Sequence, residues 1–539
     1  MNKIAAVLLS FSLSASAADF TQKDLNEESV IAANWQQFAA EYDALFYQTF
    51  NMARDNLAEA LKKVPEGRKP AIVTDIDDTL LEGVSYFTSL IGTSGQRTVE
   101  RSRLWWNSQP LNVLPGTLEF FREAQRQGIE IFYTSGRFND VKAVTYRNLT
   151  SLGFPVRNKD RILLQPAGNV TLSKEERCQS IRDQGYHIIM KFGDQLDDLA
   201  EVQRELYPEK QAWVANNREK FANQWFLLPN IIYGSWESAL ARGYNSMPPG
   251  DRHQARINAL LAGVSLPVSN QSDPEFAQHL TLASVWYYTS ADYRALTYQA
   301  YNHATSLISR QLTDRPAPAV ILDIDGTVLD MSPLPARATA NQKASDIASH
   351  SQWVMEQNMT ALPGSLAFLS KAKKNGYEIF YLSDRPLTSK VSGQKRDLEK
   401  ATVGNLKKLG FPDADDTHVI LKQEYCPQDL PDCGKEFKRK AIQTGKVDGV
   451  DHQVFLYVGD QMTDFDLVEQ GLKPGSKEDI GSVREQFGRH YIILPNPTQY
   501  TWMRRLYSDA SGMNYTEMSS EEKVRIRRQL VRDWPGKPD

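Results

Sequence analysis

Asp75-Ile76-Asp77-Asp78-Thr79 and Asp323-Ile324-Asp325-Gly326-Thr327 each set two acids one residue apart behind an apolar run. The runs, Ala71-Ile72-Val73-Thr74 and Ala319-Val320-Ile321-Leu322, are short and rich in Ile and Val, as expected of buried parallel strands. Side chains alternate along a strand, so extended geometry lets both acids of a pair face one way. Two adjoining carboxylates do not both stay charged without a cation or a shared proton. Further polar groups follow each pair in the same order. Ser135 and Ser383 end apolar strands, at the same distance from the leading Asp in both copies; Lys174 and Lys435 come next. Gly193-Asp194 with Asp198, and Gly459-Asp460 with Asp464, close the set. Carboxylates clustered without His or Cys suit a hard cation, Mg²⁺ before Zn²⁺. Ser and Lys suit a phosphate, one donating a hydrogen bond and the other supplying charge. A carboxylate facing a phosphate beside a metal can act as a nucleophile through an aspartyl-phosphate. Its neighbour can protonate the leaving oxygen and then activate water.

The elements that must position these residues also occur twice. Trp35, Phe38, Tyr42, Leu45 and Phe46 recur at helical spacing, predicting one helix over 34–56. A related segment returns over 283–307, with Trp286, Asp292-Tyr293 and Ala295-Leu296 matching Trp35, Glu41-Tyr42 and Ala44-Leu45. These aromatics read as core packing. Leu114-Pro115-Gly116 and Leu362-Pro363-Gly364 are turns that open helices. Apolar strands are expected before Ser135, before Gly193, over Trp225–Leu228 and at the matching places in the second copy. Strands alternating with helices imply an α/β fold with a mainly parallel sheet, whose reactive groups collect at the carboxyl ends of strands. A unit of roughly 250 residues present twice is a tandem duplication and no short-period solenoid. The expected organisation is a leader over 1–17, a first domain over 18–250, a linker over 251–274 and a second domain over 275–539.

Composition narrows the class. The chain has 539 residues, 41% of them hydrophobic and 24% charged, with a formal net charge of −4. That is an ordinary globular composition, and it gives no basic field for a nucleic-acid polymer. Lys3, an apolar core over Ile4–Leu13 and Ala15-Ser16-Ala17 form the pattern of a cleavable export signal. The expected product is periplasmic or secreted, with no membrane anchor. In an oxidising compartment Cys426 and Cys433 can close a small disulfide loop, leaving Cys178 buried.

With these motifs in this order, the chain resembles the haloacid dehalogenase superfamily, and within it the class C bacterial acid phosphatases. The Trp35…Glu41-Tyr42 helix and the Leu228-Pro229-Asn230…Tyr233-Gly234-Ser235-Trp236 ending extend the likeness over nearly the whole chain, twice. The resemblance implies two Rossmann-like domains, each with a small helical cap. It implies Asp75 and Asp323 as nucleophiles, and Asp77 and Asp325 as general acid/base residues whose carbonyls also face the metal. Ser135, Ser383, Lys174 and Lys435 would hold the phosphoryl group, Thr79 and Thr327 the first loop. Asp194, Asp198, Asp460 and Asp464 would bind Mg²⁺ together with the motif-one acids. The substrate would be a small phosphomonoester, with 5′-nucleotides favoured. Four features depart from the family: Asp78 and Gly326 stand where Glu is usual, Gly83 and Asp330-Met331-Ser332 stand where an Asn follows motif one, the ending is altered around Gln499-Tyr500, and the lipoprotein cysteine is missing. Two alternatives stand beside this expectation: phosphotransfer to an alcohol, and one repeat, the second favoured, that serves as a non-catalytic binding or pseudo-dimer module, since some plant storage proteins of the same broad family keep the fold without the nucleophile. The repeats are expected to be able to pack as an internal pseudo-dimer.

Overall fold

The apolar runs ahead of the acid pairs are the central strands of two matching sheets in the computed structural model. The structure describes residues 20–531, apart from 109–110, 167–170, 203–205, 264, 311–315, 345 and 392–393. The expected leader lies outside the described residues. The first sheet comprises β1 (Lys69–Thr74), β2 (Glu130–Phe138), β3 (Ile162–Gln165), β4 (Tyr186–Gly193) and β5 (Trp225–Leu227). The second repeat supplies β6 (Pro318–Asp323), β7 (Glu378–Leu382), β8 (Thr388–Val391), β9 (Gln394–Asp397), β10 (Val419–Ile420), β11 (Gln453–Gly459) and β12 (Tyr491–Ile493). The orders are β3-β2-β1-β4-β5 and β10-β7-β6-β11-β12, parallel throughout, while β8 and β9 form a separate antiparallel hairpin. Strand order reverses beside β1 and β6, so a crevice opens at their carboxyl ends, where the acid pairs sit.

The expected α/β architecture with parallel sheets flanked by helices is what the chain adopts. Strands β3 and β10 and the β8–β9 hairpin were not anticipated. They are two to four residues long, too short to show a period. Short helices Val84–Thr88 and Val99–Asn107 line the crevice of the first repeat, and the second repeat has Pro333–Ala340 and Ile347–Glu356 at the matching places in the chain.

The single helices expected over 34–56 and 283–307 are each two helices. Val30–Phe38 is followed by Ala40–Lys62, and Pro274–Thr289 by Ala291–Arg310. Ala39 and Ser290 break them with extended ψ values of 129° and 132°. Apolar spacing continues across each break, so the pattern hides it. Ser290 explains the restart, its Oγ accepting from the N–H groups of Asp292 (3.0 Å) and Tyr293 (3.3 Å).

Each long helix also reaches the other repeat. Gln48 Nε2 donates to the Ile493 carbonyl and Gln48 Oε1 accepts from Ile493 N, both at 2.8 Å. Gln299 makes the same pair of bonds to Leu227, at 2.9 and 2.7 Å. Asn51 donates to the carbonyls of Arg484 and Phe487, and Asn302 to those of Arg218 and Phe221. The helix Pro249–Leu261 runs from the end of the expected first domain into the segment read as a linker, and its buried Arg256 donates to Glu28, Glu237 (2.5 Å) and Tyr244 (2.9 Å). Cys426 and Cys433 are disulfide-bonded, and Cys178 is free and buried. Among the described residues no helix is long and apolar enough to cross a membrane.

Candidate active site

β1 ends at Thr74, so Asp75 and Asp77 leave the strand together and line one cavity of about 790 Å³ with Ser135, Lys174, Asp194 and Asp198. The turn after them holds residue 78 in the left-handed region, at φ 54°, and its counterpart Gly326 at φ 81°. Glycine adopts that conformation freely and Asp is among the side chains that tolerate it, which accounts for the two residues found there. Asp78 Oδ1 accepts from Gly83 N at 2.9 Å; burial, with the Glu82 charge adding to it, pushes its carboxyl up to about 8.

Both lysines bridge the acids as the motif order requires. Lys174 Nζ donates to Asp75 Oδ1 and Asp198 Oδ1; Lys435 Nζ donates to Asp323 Oδ1 and, at 2.7 Å, to Asp464 Oδ1. Burial alone would lower both ammonium groups, but the facing carboxylates outweigh it and raise them. Burial pushes Asp75 up to about 7 and Asp323 up to about 8. The lysines pull the other way, while neighbouring acids add to the rise. Burial, then repulsion from neighbouring acids, also raises Asp194 and Asp460 strongly.

These are the signatures of carboxylates gathered for a cation. Carboxylate oxygens of Asp75, Asp194 and Asp198 lie within 4.8 Å of one another, as do those of Asp323, Asp460 and Asp464. Asp323 Oδ2 and Asp460 Oδ1 are buried with no hydrogen-bond partner, a costly state for an anionic oxygen. All-oxygen donors of this kind fit a hard divalent ion. Glycine at 193 and 459 belongs to the same construction, because a Cβ there would overlap the side chain of Asp198 or Asp464. Asp198 rather than its neighbour Asp197 joins the first cluster.

Arg137 and Arg385 were legible only as the last residue of Ser-x-Arg and carried no role in the sequence reading. Arg137 is fully buried, its Nε donating to Asp77 Oδ2 at 2.9 Å and its Nη2 to Asp77 Oδ1 at 2.6 Å. Arg385 forks Asp325 in the same way, at 2.7 and 2.5 Å. Burial works to raise Asp325, but Arg385 and then His350 outweigh it and hold its carboxyl well below the usual carboxylate range. Ser135 Oγ lies 3.4 Å from Asp77 Oδ2. Asn230 and Asn496, of the repeated Leu-Pro-Asn, donate to Asp194 and Asp460 at 2.7 and 2.6 Å. Thr79 Oγ1 is 3.4 Å from Asp194 Oδ1, whereas Thr327 Oγ1 is buried without a partner.

The walls of the two sites differ. In the first, Phe87 and Tyr233 stack at 4.4 Å with the Arg97 guanidinium over both rings, and Trp106 lies under Arg137. The second copy has Pro335, Gln499 and Val354 where the first has Phe87, Tyr233 and Trp106. It also has His350 in place of Ser102, with Nε2 3.6 Å from Asp325.

A parallel sheet whose central strand delivers two acids to a lysine-bridged carboxylate cluster defines a protein built for phosphoryl chemistry. The chain belongs to subfamily IIIB of the HAD superfamily, the acid phosphatase subfamily, whose family model matches residues 3–236 and again 268–502. It is 29% identical over 134 residues to vegetative storage protein 1 of Arabidopsis thaliana, covering 24% of this chain and 48% of that protein. It is 26% identical over 152 residues to acid phosphatase 1 of Solanum lycopersicum, covering 27% and 58%. The chain thus spans about half the length of these curated relatives. The class C acid phosphatase of Bacillus anthracis superposes with a TM-score of 0.41 at 28% identity, covering 45% of this chain and all of that one.

Proposed function

We propose that the protein is an exported, Mg²⁺-dependent acid phosphatase that hydrolyses small phosphomonoesters at two sites per chain. The observation that carries this reading is the lysine-bridged acid cluster, Asp75–Lys174–Asp198, repeated as Asp323–Lys435–Asp464. Asp75 attacks phosphorus while the bond to the alcohol oxygen breaks, giving an aspartyl-phosphate. Asp77 gives its proton to the leaving oxygen, then takes one from the water that attacks phosphorus and frees Asp75 and inorganic phosphate. Arg137 fixes where Asp77 stands. Ser135 and Lys174 hold the phosphoryl oxygens; Asp323, Asp325, Ser383 and Lys435 take the same roles in the second site. Asp75, Asp194, Asp198 and the Asp77 carbonyl, or Asp323, Asp460, Asp464 and the Asp325 carbonyl, would hold Mg²⁺, which would supply charge against anionic repulsion. The stacked Phe87 and Tyr233 beside the first site favour esters with a flat leaving group such as a 5′-nucleotide.

The reading extends to the whole chain. Repeats over 18–250 and 275–539, joined by 251–274, pack as an internal pseudo-dimer, supported by the reciprocal Gln48 and Gln299 bonds. The leader pattern supports a periplasmic or secreted location. Retention of the full acid and lysine set in the second repeat favours turnover there over a storage role. The test is phosphate release from a 5′-nucleotide and an aryl phosphate, with Mg²⁺ and with chelator, by wild type, Asp75→Asn, Asp323→Asn and the double variant. Partial loss in each single variant and complete loss in the double supports two sites. Full activity in Asp323→Asn overturns the second site, and activity in the double variant overturns both nucleophiles. Added alcohol acceptors measure any share of phosphotransfer.

A further inference from the structure

The last acid of each site sits on a very short element, Leu196–Leu199 for Asp198 and Met462–Asp464 for Asp464. Each element begins with a backbone N–H that is held from the other repeat. Leu196 N donates to Asp292 Oδ1 at 3.1 Å, and Met462 N donates to Glu41 Oε1 at 3.3 Å. Asp292 and Glu41 occupy the same place in their helices, the second residue of Ala291–Arg310 and of Ala40–Lys62. Both are buried, and neither takes part in the chemistry described above. One acid is shorter than the other by a methylene, yet both reach the same backbone atom of the opposite site. Two independent copies of one contact make an incidental neighbour an inadequate account.

We infer that each active site is completed by a positioning acid from the opposite repeat: Asp292 for the first site and Glu41 for the second. The inference rests on the two-site reading and adds how the sites depend on each other. The connection runs through short bonds. With Leu196 N anchored, the turn from Gln195 to Asp198 closes, and Asp198 Oδ2 accepts from Gln195 N at 3.0 Å. Asp198 Oδ1 then receives Lys174, which also holds the nucleophile Asp75. In the second site Asp464 Oδ2 accepts from Gln461 N at 3.0 Å, and Lys435 spans Asp464 and Asp323. Each acid works as a helix-capping acceptor does, except that it comes from a distant part of the chain.

The test is a crossed design in the full-length chain. Asp292→Leu and Glu41→Met keep most of the volume and remove the acceptor; Asp292→Asn and Glu41→Gln keep an acceptor oxygen. Each is placed in Asp323→Asn, where only the first site turns over, and in Asp75→Asn, where only the second does. Two quantities are read: kcat with its Mg²⁺ requirement, and hydrogen exchange of peptides covering 193–199 and 459–464. Asp292→Leu should slow the first site about three- to thirtyfold, the range that loss of a cap spans, and speed exchange over 193–199. Glu41→Met should do the same at the second site and over 459–464. The amide variants should restore most of both readouts. Loss that follows the mutated residue's own repeat, or falls equally on both sites, overturns the inference. If neither background releases phosphate, the phosphatase reading fails and exchange alone decides this one, a crossed pattern supporting it and an uncrossed one refuting it. Should the leucine variant not fold, Asp292→Ala carries the same prediction, and the Glu41 arm stands independently.

Discussion

Replacing Arg137 with Lys tests whether Asp77, the proposed acid/base residue, needs its fork. Arg137 holds both oxygens of Asp77 through two bonds of 2.9 and 2.6 Å, from a guanidinium that is fully buried. Lys keeps the charge but offers one flexible ammonium in place of a rigid fork, so one of the two bonds is lost. A charge-assisted hydrogen bond contributes about 1.5–3 kcal/mol. If that bond sets the position from which Asp77 moves protons, kcat should fall roughly ten- to a hundredfold. The phosphoryl contacts of Ser135 and Lys174 are untouched, so KM should stay within about threefold. The assay is steady-state hydrolysis of an aryl phosphate in an Asp323→Asn background, which isolates the first site. Arg385→Lys in an Asp75→Asn background is the mirror experiment and adds a sign. Asp325 lies well below the usual carboxylate range because Arg385, with His350, outweighs burial. Loosening that pair raises it, so more molecules hold the proton that the leaving oxygen takes, and activity should persist further on the alkaline side. A variant with unchanged kcat and raised KM would refute the reasoning, since Arg137 would then shape binding and not proton transfer.

Asn230→Ala and Asn496→Ala remove the partners of Asp194 and Asp460 and should each weaken Mg²⁺ binding at one site by about ten- to a hundredfold, read by calorimetry. His303 is buried and burial, partly opposed by the Gly488 carbonyl, pushes its imidazole down to about 4. It stays neutral in the folded chain while the unfolded chain protonates below about 6.5, so stability falls as pH drops from there to about 4. The loss is roughly 3 kcal/mol, and His303→Gln should flatten that part of a urea-midpoint curve against pH. Replacing Cys426 and Cys433 with Ser opens a loop with a sequence separation of 7 and should cost about 2 kcal/mol of stability. Because Cys433 lies just ahead of Lys435, second-site activity should fall more than first-site activity in the same preparation.

What the sequence carried best was chemistry that recurs in order. The acid pairs and Gly-Asp motifs could be placed because each sits at the end of an apolar strand, while Lys174 and Lys435, each the first residue of a helix, were placed only by their order in two copies. Arg137 was visible as a repeated Ser-x-Arg, but nothing in linear spacing says that a residue two beyond Ser135 turns back onto Asp77. The repeated Leu-Pro-Asn held an equal hint for Asn230, since an amide invariant between two copies beside acids is a donor in search of a carboxylate. The breaks at Ala39 and Ser290 were hidden because the apolar period runs through them. Strands β3 and β10 were hidden because so few residues carry no period at all. Asp292 and Glu41 were matched as equivalent positions, yet which repeat they serve depends on packing between segments hundreds of residues apart.

That packing bears on why a chain carrying the proposed site residues twice is not simply two units joined end to end. Strands β5 and β12 are three residues long and lie at the edges of their sheets. An edge strand leaves backbone donors and acceptors open, a liability that proteins cover. Here Leu227 and Ile493, within these strands, each have both backbone groups taken by a glutamine from the other repeat. Cutting the chain at the junction would strip each sheet of that glutamine. The same cut would remove Asp292 from the turn that carries Asp198 and Glu41 from the turn that carries Asp464. Edge coverage and site geometry therefore depend on the same two long helices. A half that folded would keep its own aspartates and lysine, but it would lose the contact that holds the last acid in place.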